Sequence, residues 1–291
     1  MKKTGWVTVI VLLTGYGCHQ KTTDRQTKTP IKITHDSVDI AYTDTGRGDT
    51  TLFFVHGWGL NRNYWAAQID YFRSKYRVVA IDLPGFGESG KGRTNWTPDE
   101  YAKDIATVIR QLDCTNTILI GHSMAQDIIV QAALDAPGRV VGLIGIDNFR
   151  DFGKPEDPKA KEEEANFFHQ LRTHFSETAR EGANLFFYGQ SDSATRRRVT
   201  NDYVNTDSLI GTAVLEQAAM SPPGQLAERL RATKMTLHLI NSDAMPTDTT
   251  GFGANGIPFD LVTIPATGHF PMIERPDEFN TLLKEVIERI H

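Results

Sequence analysis

Six short apolar segments rich in β-branched residues, separated by longer helical stretches, constrain the fold of this chain more than any other feature. The segments are Leu52–Val55, Tyr76–Ile81, Thr117–Ile120, Val140–Ile146, Met235–Ile240 and Leu261–Ile264. Continuous apolar runs of this length are typical of strands covered on both faces. The helical stretches are Tyr64–Lys75, Pro98–Leu112, Ala125–Ala136 and Pro276–Ile290. This alternation predicts an α/β fold with a mostly parallel central sheet and helices on both faces.

Residues 149–233 interrupt the alternation. This segment is rich in charged residues and phenylalanine, and its helical stretches Lys159–Leu171 and Ala213–Met220 are not joined by a convincing strand. A helical insertion between two strands of a parallel sheet lies over one end of that sheet. We therefore expect an inserted helical cap at 149–233 and a core formed by 31–148 and 234–291.

The amino terminus has the pattern of a targeting segment. Two lysines precede the apolar stretch Val7–Leu13, which is too short to span a bilayer, and small residues lead to Cys18. This pattern resembles a bacterial lipoprotein signal, which implies a signal peptide at 1–17 and lipidation of Cys18. The polar segment 18–30 is then a flexible tether, and the protein is exported and membrane-anchored at the periplasm or the cell surface. The alternative is an ordinary signal peptide that contains a cysteine.

Charge and composition exclude several classes of partner and site. The formal net charge is -5 and no basic stripe is interleaved with aromatic residues, so nucleic acid is not expected as a partner. Two cysteines, one of them lipidated, cannot build a disulfide framework. We find neither a metal-ligand motif nor a phosphate-binding loop, so no metal or cofactor is predicted. Nothing in the sequence indicates an oligomeric state.

The motif Gly121-His122-Ser123-Met124-Ala125 indicates a nucleophile elbow. It follows the strand Thr117–Ile120 and opens a helix, the context in which a sharp turn exposes a serine hydroxyl. A serine hydroxyl is a weak nucleophile at neutral pH and needs an adjacent base, which a third group must orient. The motif therefore predicts Ser123 as the nucleophile of a hydrolase.

Three further motifs occur in a fixed order around this elbow. They are His56-Gly57-Trp58-Gly59, the segment Asp82–Gly90 and Gly268-His269-Phe270. With these motifs, residues 31–291 resemble the α/β-hydrolases. The resemblance implies His269 as the base, and it implies an oxyanion hole formed by the backbone amides of Trp58 and Met124. One departure is that Ala125 and Gln126 stand where the family has glycines.

The acid that orients the base has three candidates. The resemblance places it in the loop after the strand that ends at Ile240, where Asp243 is the first choice and Asp248 lies five residues later. Asp147 is the third candidate because it ends the strand Val140–Ile146, where some family members carry the acid. A turn or helix-cap role is expected for the aspartates that do not orient the base.

These residues predict a serine hydrolase that cleaves an ester-type bond of a small apolar substrate through an acyl-enzyme on Ser123. Aromatic residues of the cap suggest an apolar chamber for this small molecule: Phe167, Phe168, Phe175, Phe186, Phe187 and Tyr188. One alternative keeps the triad but acts on a lactone, an amide or a carbon–carbon bond. Another is a catalytically impaired binding lipoprotein in which Gln126 blocks the elbow.

Overall fold

The computed structural model describes residues 31–32, 38–153, 157–189, 191–222 and 224–290. The predicted signal peptide, the lipidation site Cys18 and the tether lie outside these residues. In the described part of the chain, none of the helices is both long and apolar enough to cross a bilayer.

The described residues form nine strands in two sheets. In chain order the strands are β1 Ile31–Lys32, β2 Asp39–Ile40, β3 Tyr42–Asp44, β4 Thr51–Val55, β5 Arg77–Ile81, β6 Thr117–His122, β7 Val140–Ile146, β8 Leu237–Ser242 and β9 Phe259–Ile264. Strands β1 and β2 pair with each other, and the other seven form the central sheet in the order β3-β5-β4-β6-β7-β8-β9. Within the central sheet every pairing is parallel except that of β3 with β5. The predicted fold class is therefore confirmed.

Helices surround this sheet. They are α1 Ala66–Phe72, α2 Pro98–Gln111, α3 Ala125–Asp135, α4 Pro158–Thr173, α5 Phe175–Leu185, α6 Ser193–Val204, α7 Ser208–Ala219, α8 Gln225–Thr233, α9 Thr250–Ala254, α10 Pro271–Glu274 and α11 Pro276–Ile290. A 3₁₀ turn at Arg62–Trp65 precedes α1. Helices α2 and α3 pack together, and α1 packs on α11. Strand β4 is buried along its whole length between these layers, which explains its lack of polar alternation.

The sheet topology brings distant loops to one edge. The chain runs from the central strand β4 to β5 on one side and then to β6 on the other, so the strand order reverses at β4. Ligands of open α/β sheets bind at the carboxyl ends of the strands near such a reversal. The loops after β4, β6, β7, β8 and β9 all leave the sheet at this edge because these strands are parallel.

Between β7 and β8 the described residues form five helices, α4 to α8, which lie in the predicted cap segment. The predicted helical stretches correspond to α4 and α7, whereas α5, α6 and α8 were not predicted from the sequence. Hydrogen bonds join this segment to the loops of the sheet edge, and two of them involve predicted site residues. The Trp58 indole donates to the carbonyl of Gly211 at 2.8 Å, and the His269 amide donates to the carbonyl of Phe186 at 2.7 Å. The helical segment therefore covers the edge where the predicted site residues lie.

Candidate active site

Ser123 lies at the sharp turn between β6 and α3. Its φ angle is 53°, in the left-handed region that non-glycine residues seldom adopt. Such a conformation costs on the order of 1–3 kcal/mol and persists where the surrounding structure fixes it. The Ser123 amide donates to the carbonyl of Ile146 at 3.0 Å. Glycine is required at 121 because a Cβ there would lie 2.7 Å from Cγ2 of Ile129. The turn thus brings the start of α3 close to β6 and lifts the serine side chain away from the sheet.

His269 joins the serine to a carboxylate. Its Nε2 atom lies 2.8 Å from Oγ of Ser123, and its Nδ1 atom lies 2.5 Å from Oδ2 of Asp147. When Nδ1 donates its proton to the carboxylate, Nε2 is left as the acceptor for the serine hydroxyl. The ring stacks on Phe186 of the helical segment at a centroid distance of 4.5 Å and is 94% buried. The imidazole is therefore held in one orientation from three sides.

The carboxylate beside the imidazole belongs to Asp147 and not to Asp243, so the first choice for its partner is wrong. Asp243 accepts a hydrogen bond from the amide of Ala266 at 3.0 Å. Asp248 accepts from the amide of Thr250, two residues further on, at 2.9 Å, a turn role expected of such aspartates. The physical reason is strand order. Asp243 continues β8 along its pairing with β9 and turns toward the loop after β9, whereas Asp147 ends β7 beside the strand that carries the serine.

Two further groups bind the other oxygen of Asp147. Its Oδ1 atom accepts hydrogen bonds from the amide of Ser242 at 2.7 Å and from the Arg150 guanidinium. The same arginine nitrogen donates to Oγ of Ser242 at 2.9 Å. Burial alone would raise the pKa of Asp147, but His269 and Arg150 outweigh it and hold this pKa well below its usual range. The carboxylate is therefore ionised at neutral pH.

The loop after β7 is tied to the elbow by side-chain amides. Asn148 donates to the carbonyl of Gly121 at 3.0 Å, and Asn241 donates to the carbonyl of Asn148 at 2.9 Å. Oε1 of Gln126 accepts from the amide of Phe149 at 3.0 Å. The roles of Asn148 and Arg150 were not predicted from the sequence. Their position shortly after Asp147, an aspartate at the end of a strand, could have indicated them.

The loop after β4 passes against the elbow. A Cβ at Gly57 would lie 3.0 Å from Cβ of Ser123 and 2.7 Å from Nδ1 of His122, so only glycine fits this approach. The next residue, Trp58, lines the same cavity as Ser123 and Met124. Trp58 and Met124, the two residues predicted to supply the oxyanion donors, therefore both lie beside the serine.

Two other buried histidines support these loops. His56 accepts at Nε2 from the amide of Leu83 at 2.9 Å and donates from Nδ1 to the carbonyl of Gly57 at 2.7 Å. His122 donates from Nε2 to the carbonyl of His269 at 2.7 Å. Burial lowers the pKa of both rings, to about 3 for His122. Both rings are neutral at physiological pH and act as hydrogen-bonding braces, His56 for the loop after β4 and His122 beneath the elbow.

A chamber of about 470 Å³ opens in front of the serine. Its walls are mostly apolar and include Phe167, Leu171, Phe186, Tyr203 and Leu215. Of the six cap aromatics predicted to form it, Phe167 and Phe186 line the chamber, and Phe175 packs on Trp58 at a centroid distance of 6.0 Å. Within the described ranges, no three His, Cys, Asp or Glu side chains are grouped so that they could hold one metal ion.

This fold and site define a class of protein. The sequence model of the Alpha/beta hydrolase family matches residues 52–282, which is most of the chain. The chain therefore belongs to the α/β-hydrolase family. The matched range contains the elbow, the histidine and all three candidate aspartates.

Curated relatives carry several names within this family. A pimeloyl-[acyl-carrier protein] methyl ester esterase of Yersinia enterocolitica is 26% identical over 251 residues, which are 84% of this chain and 95% of that protein. A non-heme chloroperoxidase of Burkholderia pyrrocinia is 41% identical over 96 residues, 32% of this chain and 34% of the relative. The chain likewise spans only 29% of a dihydrolipoyllysine-residue acetyltransferase component of the acetoin cleaving system of Cupriavidus necator. Several of these relatives are thus matched over about a third of their length.

Solved structures show the same fold. A thermophilic esterase from Thermogutta terrifontis superposes with a TM-score of 0.76 at 24% identity, covering 90% of this chain and 98% of that one. A bromoperoxidase from Bacillus anthracis gives a TM-score of 0.75 at 19% identity, covering 90% of this chain and 99% of the other. At these identities the likeness establishes the fold, whereas the chemistry has to be argued from the site.

Proposed function

We propose that this protein is a serine hydrolase that cleaves carboxylic esters through an acyl-enzyme on Ser123. One observation carries the proposal: an unbroken hydrogen-bonded path runs from Oγ of Ser123 through both nitrogens of His269 to the carboxylate of Asp147. This is the arrangement by which a base activates a serine while an acid fixes the tautomer of that base. The three residues come from the ends of three different strands, so their meeting is a product of the fold.

The mechanism follows from these contacts. His269 takes the hydroxyl proton at Nε2 while Oγ of Ser123 bonds to the ester carbonyl carbon. The oxyanion that forms is held by the backbone amides of Trp58 and Met124. Collapse breaks the bond to the alcohol, which leaves with the proton from Nε2. Water then attacks the acyl-enzyme by the same steps in reverse, which releases the acid and restores the serine.

Asp147 stabilises the imidazolium that forms during each proton transfer. Its short contact with Nδ1 keeps the ring oriented, and its low pKa keeps it negatively charged throughout the cycle. The other oxygen is held by Ser242 and Arg150, so the carboxylate cannot rotate away from the ring. This positioning supports a role for Asp147 as the acid of the triad in place of Asp243.

The apolar chamber and the relatives support an ester substrate. Apolar walls favour the burial of an aliphatic acyl or alcohol group next to the serine. The relative that is matched across 95% of its length is named as a methyl ester esterase. The Gln126 side chain accepts from Phe149 and does not come between Ser123 and His269, which argues against a blocked elbow.

The test combines labelling with kinetics. A fluorophosphonate probe should label the wild-type protein and not Ser123→Ala, and the wild type should hydrolyse p-nitrophenyl esters of short acyl chains. Asp147→Asn should lower kcat roughly 10³–10⁴-fold, the loss expected when the imidazole takes the wrong tautomer. Asp243→Asn is the matched control and should stay within about threefold of wild type. A folded wild-type protein that is neither labelled nor active would contradict the proposal, as would a large loss in the control alone.

We also propose that the protein is exported and held to the membrane by lipid on Cys18. The proposal rests on the order of the amino-terminal residues: lysines, an apolar stretch and small residues up to the cysteine. Labelling of growing cells with radioactive palmitate should mark the wild type and not Cys18→Ser. Equal incorporation into both would refute lipidation at this position.

A further inference from the structure

The chamber in front of Ser123 has one charged wall. Among the described residues that line it, Asp127 is the single one with an ionisable acidic or basic side chain, and the others are mostly apolar. Asp127 lies in the first turn of α3, directly after the elbow, so its carboxyl group and the reacting hydroxyl border the same cavity.

The carboxyl group of Asp127 is half-buried and has few partners. It accepts a hydrogen bond from the side-chain Nε2 of Gln126 at a long 3.3 Å, and no cation among the described residues lies within ion-pairing distance. Arg229 acts on it only at longer range, since its guanidinium is paired with Asp99 at 2.7 Å. Burial is the main cause that raises the pKa of Asp127 above its ordinary value. A buried carboxylate is costly unless a cation or a strong donor meets it.

A helix-dipole role does not explain this burial. A carboxylate in the first turn of a helix interacts favourably with the N-terminus. This favourable interaction with the helix N-terminus does not require a cavity. A solvent-exposed carboxylate makes the same interaction without losing its hydration. At position 127 the side chain instead borders a chamber whose other walls suit an aliphatic group.

Asp127 also stands between the chamber and a second cavity. This cavity has a volume of about 570 Å³ and shares Gln126, Asp127 and Ala218 with the chamber. Its other walls include Arg150 and Asp151. The Asp127 carboxyl group therefore borders both spaces.

We propose that Asp127 binds a positively charged amine of the substrate, so that the preferred esters of this site carry a cationic nitrogen beside an aliphatic chain. The inference rests on the proposed ester hydrolysis and names its substrate class. The ammonium supplies the charge and the N–H donors that the carboxylate lacks, and the ion pair forms inside a cavity where water screens it weakly.

The test uses pairs of esters that differ only in charge. On the acyl side the pair is the ethyl ester of β-alanine and ethyl butyrate, in which an ammonium replaces a methyl group. On the alcohol side the pair is 2-(dimethylamino)ethyl butyrate, whose protonated nitrogen keeps one N–H donor, and its carbon isostere 3-methylbutyl butyrate. Hydrolysis is followed in a pH-stat near neutral pH, and the result is the ratio of kcat/KM for the charged ester to that for the neutral ester. Because both values come from one enzyme preparation, a general loss of activity cancels.

In at least one pair, Asp127→Asn should lower this ratio about tenfold relative to wild type, the usual worth of a charged hydrogen bond. Asp135→Asn removes the same charge at the far end of the same helix and should leave the ratio within about twofold. Equal ratios in wild type and Asp127→Asn for both pairs would overturn the inference, while continued hydrolysis of ethyl butyrate would leave the proposed function standing. If no ester is hydrolysed and Ser123 is not labelled, the proposed function and this inference fall together.

Discussion

Arg150 places a positive charge directly on the carboxylate that faces the catalytic imidazole. Its guanidinium pairs with Oδ1 of Asp147, while Nδ1 of His269 lies 2.5 Å from Oδ2. The side chain of Arg150 is 12% exposed, so solvent screens it only in part. When the imidazole takes a proton, two cations share one carboxylate. Arg150→Met removes the charge and keeps an unbranched side chain, and this should make protonation of the imidazole easier.

The magnitude follows from the geometry. The two cations lie about 6 Å apart across the carboxyl group, and at an effective dielectric constant of about 20 they repel by about 2.8 kcal/mol. Each 1.4 kcal/mol corresponds to about one pH unit, so removal of the charge is worth at most about two units. Water that enters beside the methionine side chain reduces this effect, so we expect the acidic limb of kcat/KM to shift by about one pH unit. The sign is upward: the acidic limb of kcat/KM should move to higher pH because the base is protonated more readily.

The assay is the pH profile of kcat/KM with a p-nitrophenyl ester, whose acidic limb reports protonation of the essential base in the free enzyme. Arg150→Lys is the matched control because it keeps the positive charge while changing the shape of the donor group. Its acidic limb should stay within a few tenths of a pH unit of wild type, even if its maximal rate falls. An unmoved limb in Arg150→Met, or equal shifts in both variants, would refute the electrostatic reasoning.

Three further outcomes test other parts of the structure. Burial lowers the pKa of His122 to about 3, so only the unfolded state binds a proton at this ring as the pH falls from about 6.5. Acid should therefore destabilise the fold. In urea titrations, His122→Asn should reduce the slope of unfolding free energy against pH by about 1.4 kcal/mol per pH unit. Arg93→Met removes the guanidinium that pairs with Asp104, whose side chain is 3% exposed. It should lower the free energy of unfolding by about 3–5 kcal/mol in the same titrations, and adding Asp104→Leu should recover most of that loss. Gly268→Ala would place a Cβ 2.4 Å from a backbone oxygen of the helical segment and should lower kcat/KM at least about tenfold by displacing the adjacent base. In contrast, Gly253→Ala meets nothing within 4 Å and should have little effect on that rate.

Apolar pattern predicted the sheet well where strands are buried on both faces. The run Val140–Ile146 matches β7 residue for residue, because six of its seven residues are buried and apolar side chains suit such positions. The predicted strand Met235–Ile240 was placed two residues too early, since β8 continues through Asn241 and Ser242. Both polar residues bind the loop after β7, Asn241 through a carbonyl and Ser242 through the Asp147 carboxylate. These polar residues at the end of a buried strand are part of the site. A prediction based on hydrophobicity alone left them out of the strand.

Helix α6 was missed for a related reason. Residues Ser193–Val204 are largely polar, and of them Val199 and Tyr203 are buried. Two apolar anchors in twelve residues do not produce a recognisable helical stripe. The helix forms because its N-cap, Asp192, accepts from two backbone amides and because Tyr203 packs on Trp58 at a centroid distance of 4.8 Å. Only the second contact requires the tertiary fold, and it is the one that no local pattern could predict.

The position of the acid and the unusual Gln126 are connected by one hydrogen bond. Asp147 and Phe149 both adopt positive φ angles, 50° and 53°, so the loop after β7 is strained at two non-glycine residues. Oε1 of Gln126 accepts from the amide of Phe149, and Asn148 donates to the carbonyl of Gly121. A glycine at 126, as the family pattern has it, could not make the first contact. The side chain that departs from the family pattern at the elbow therefore helps to hold the loop that carries Asp147.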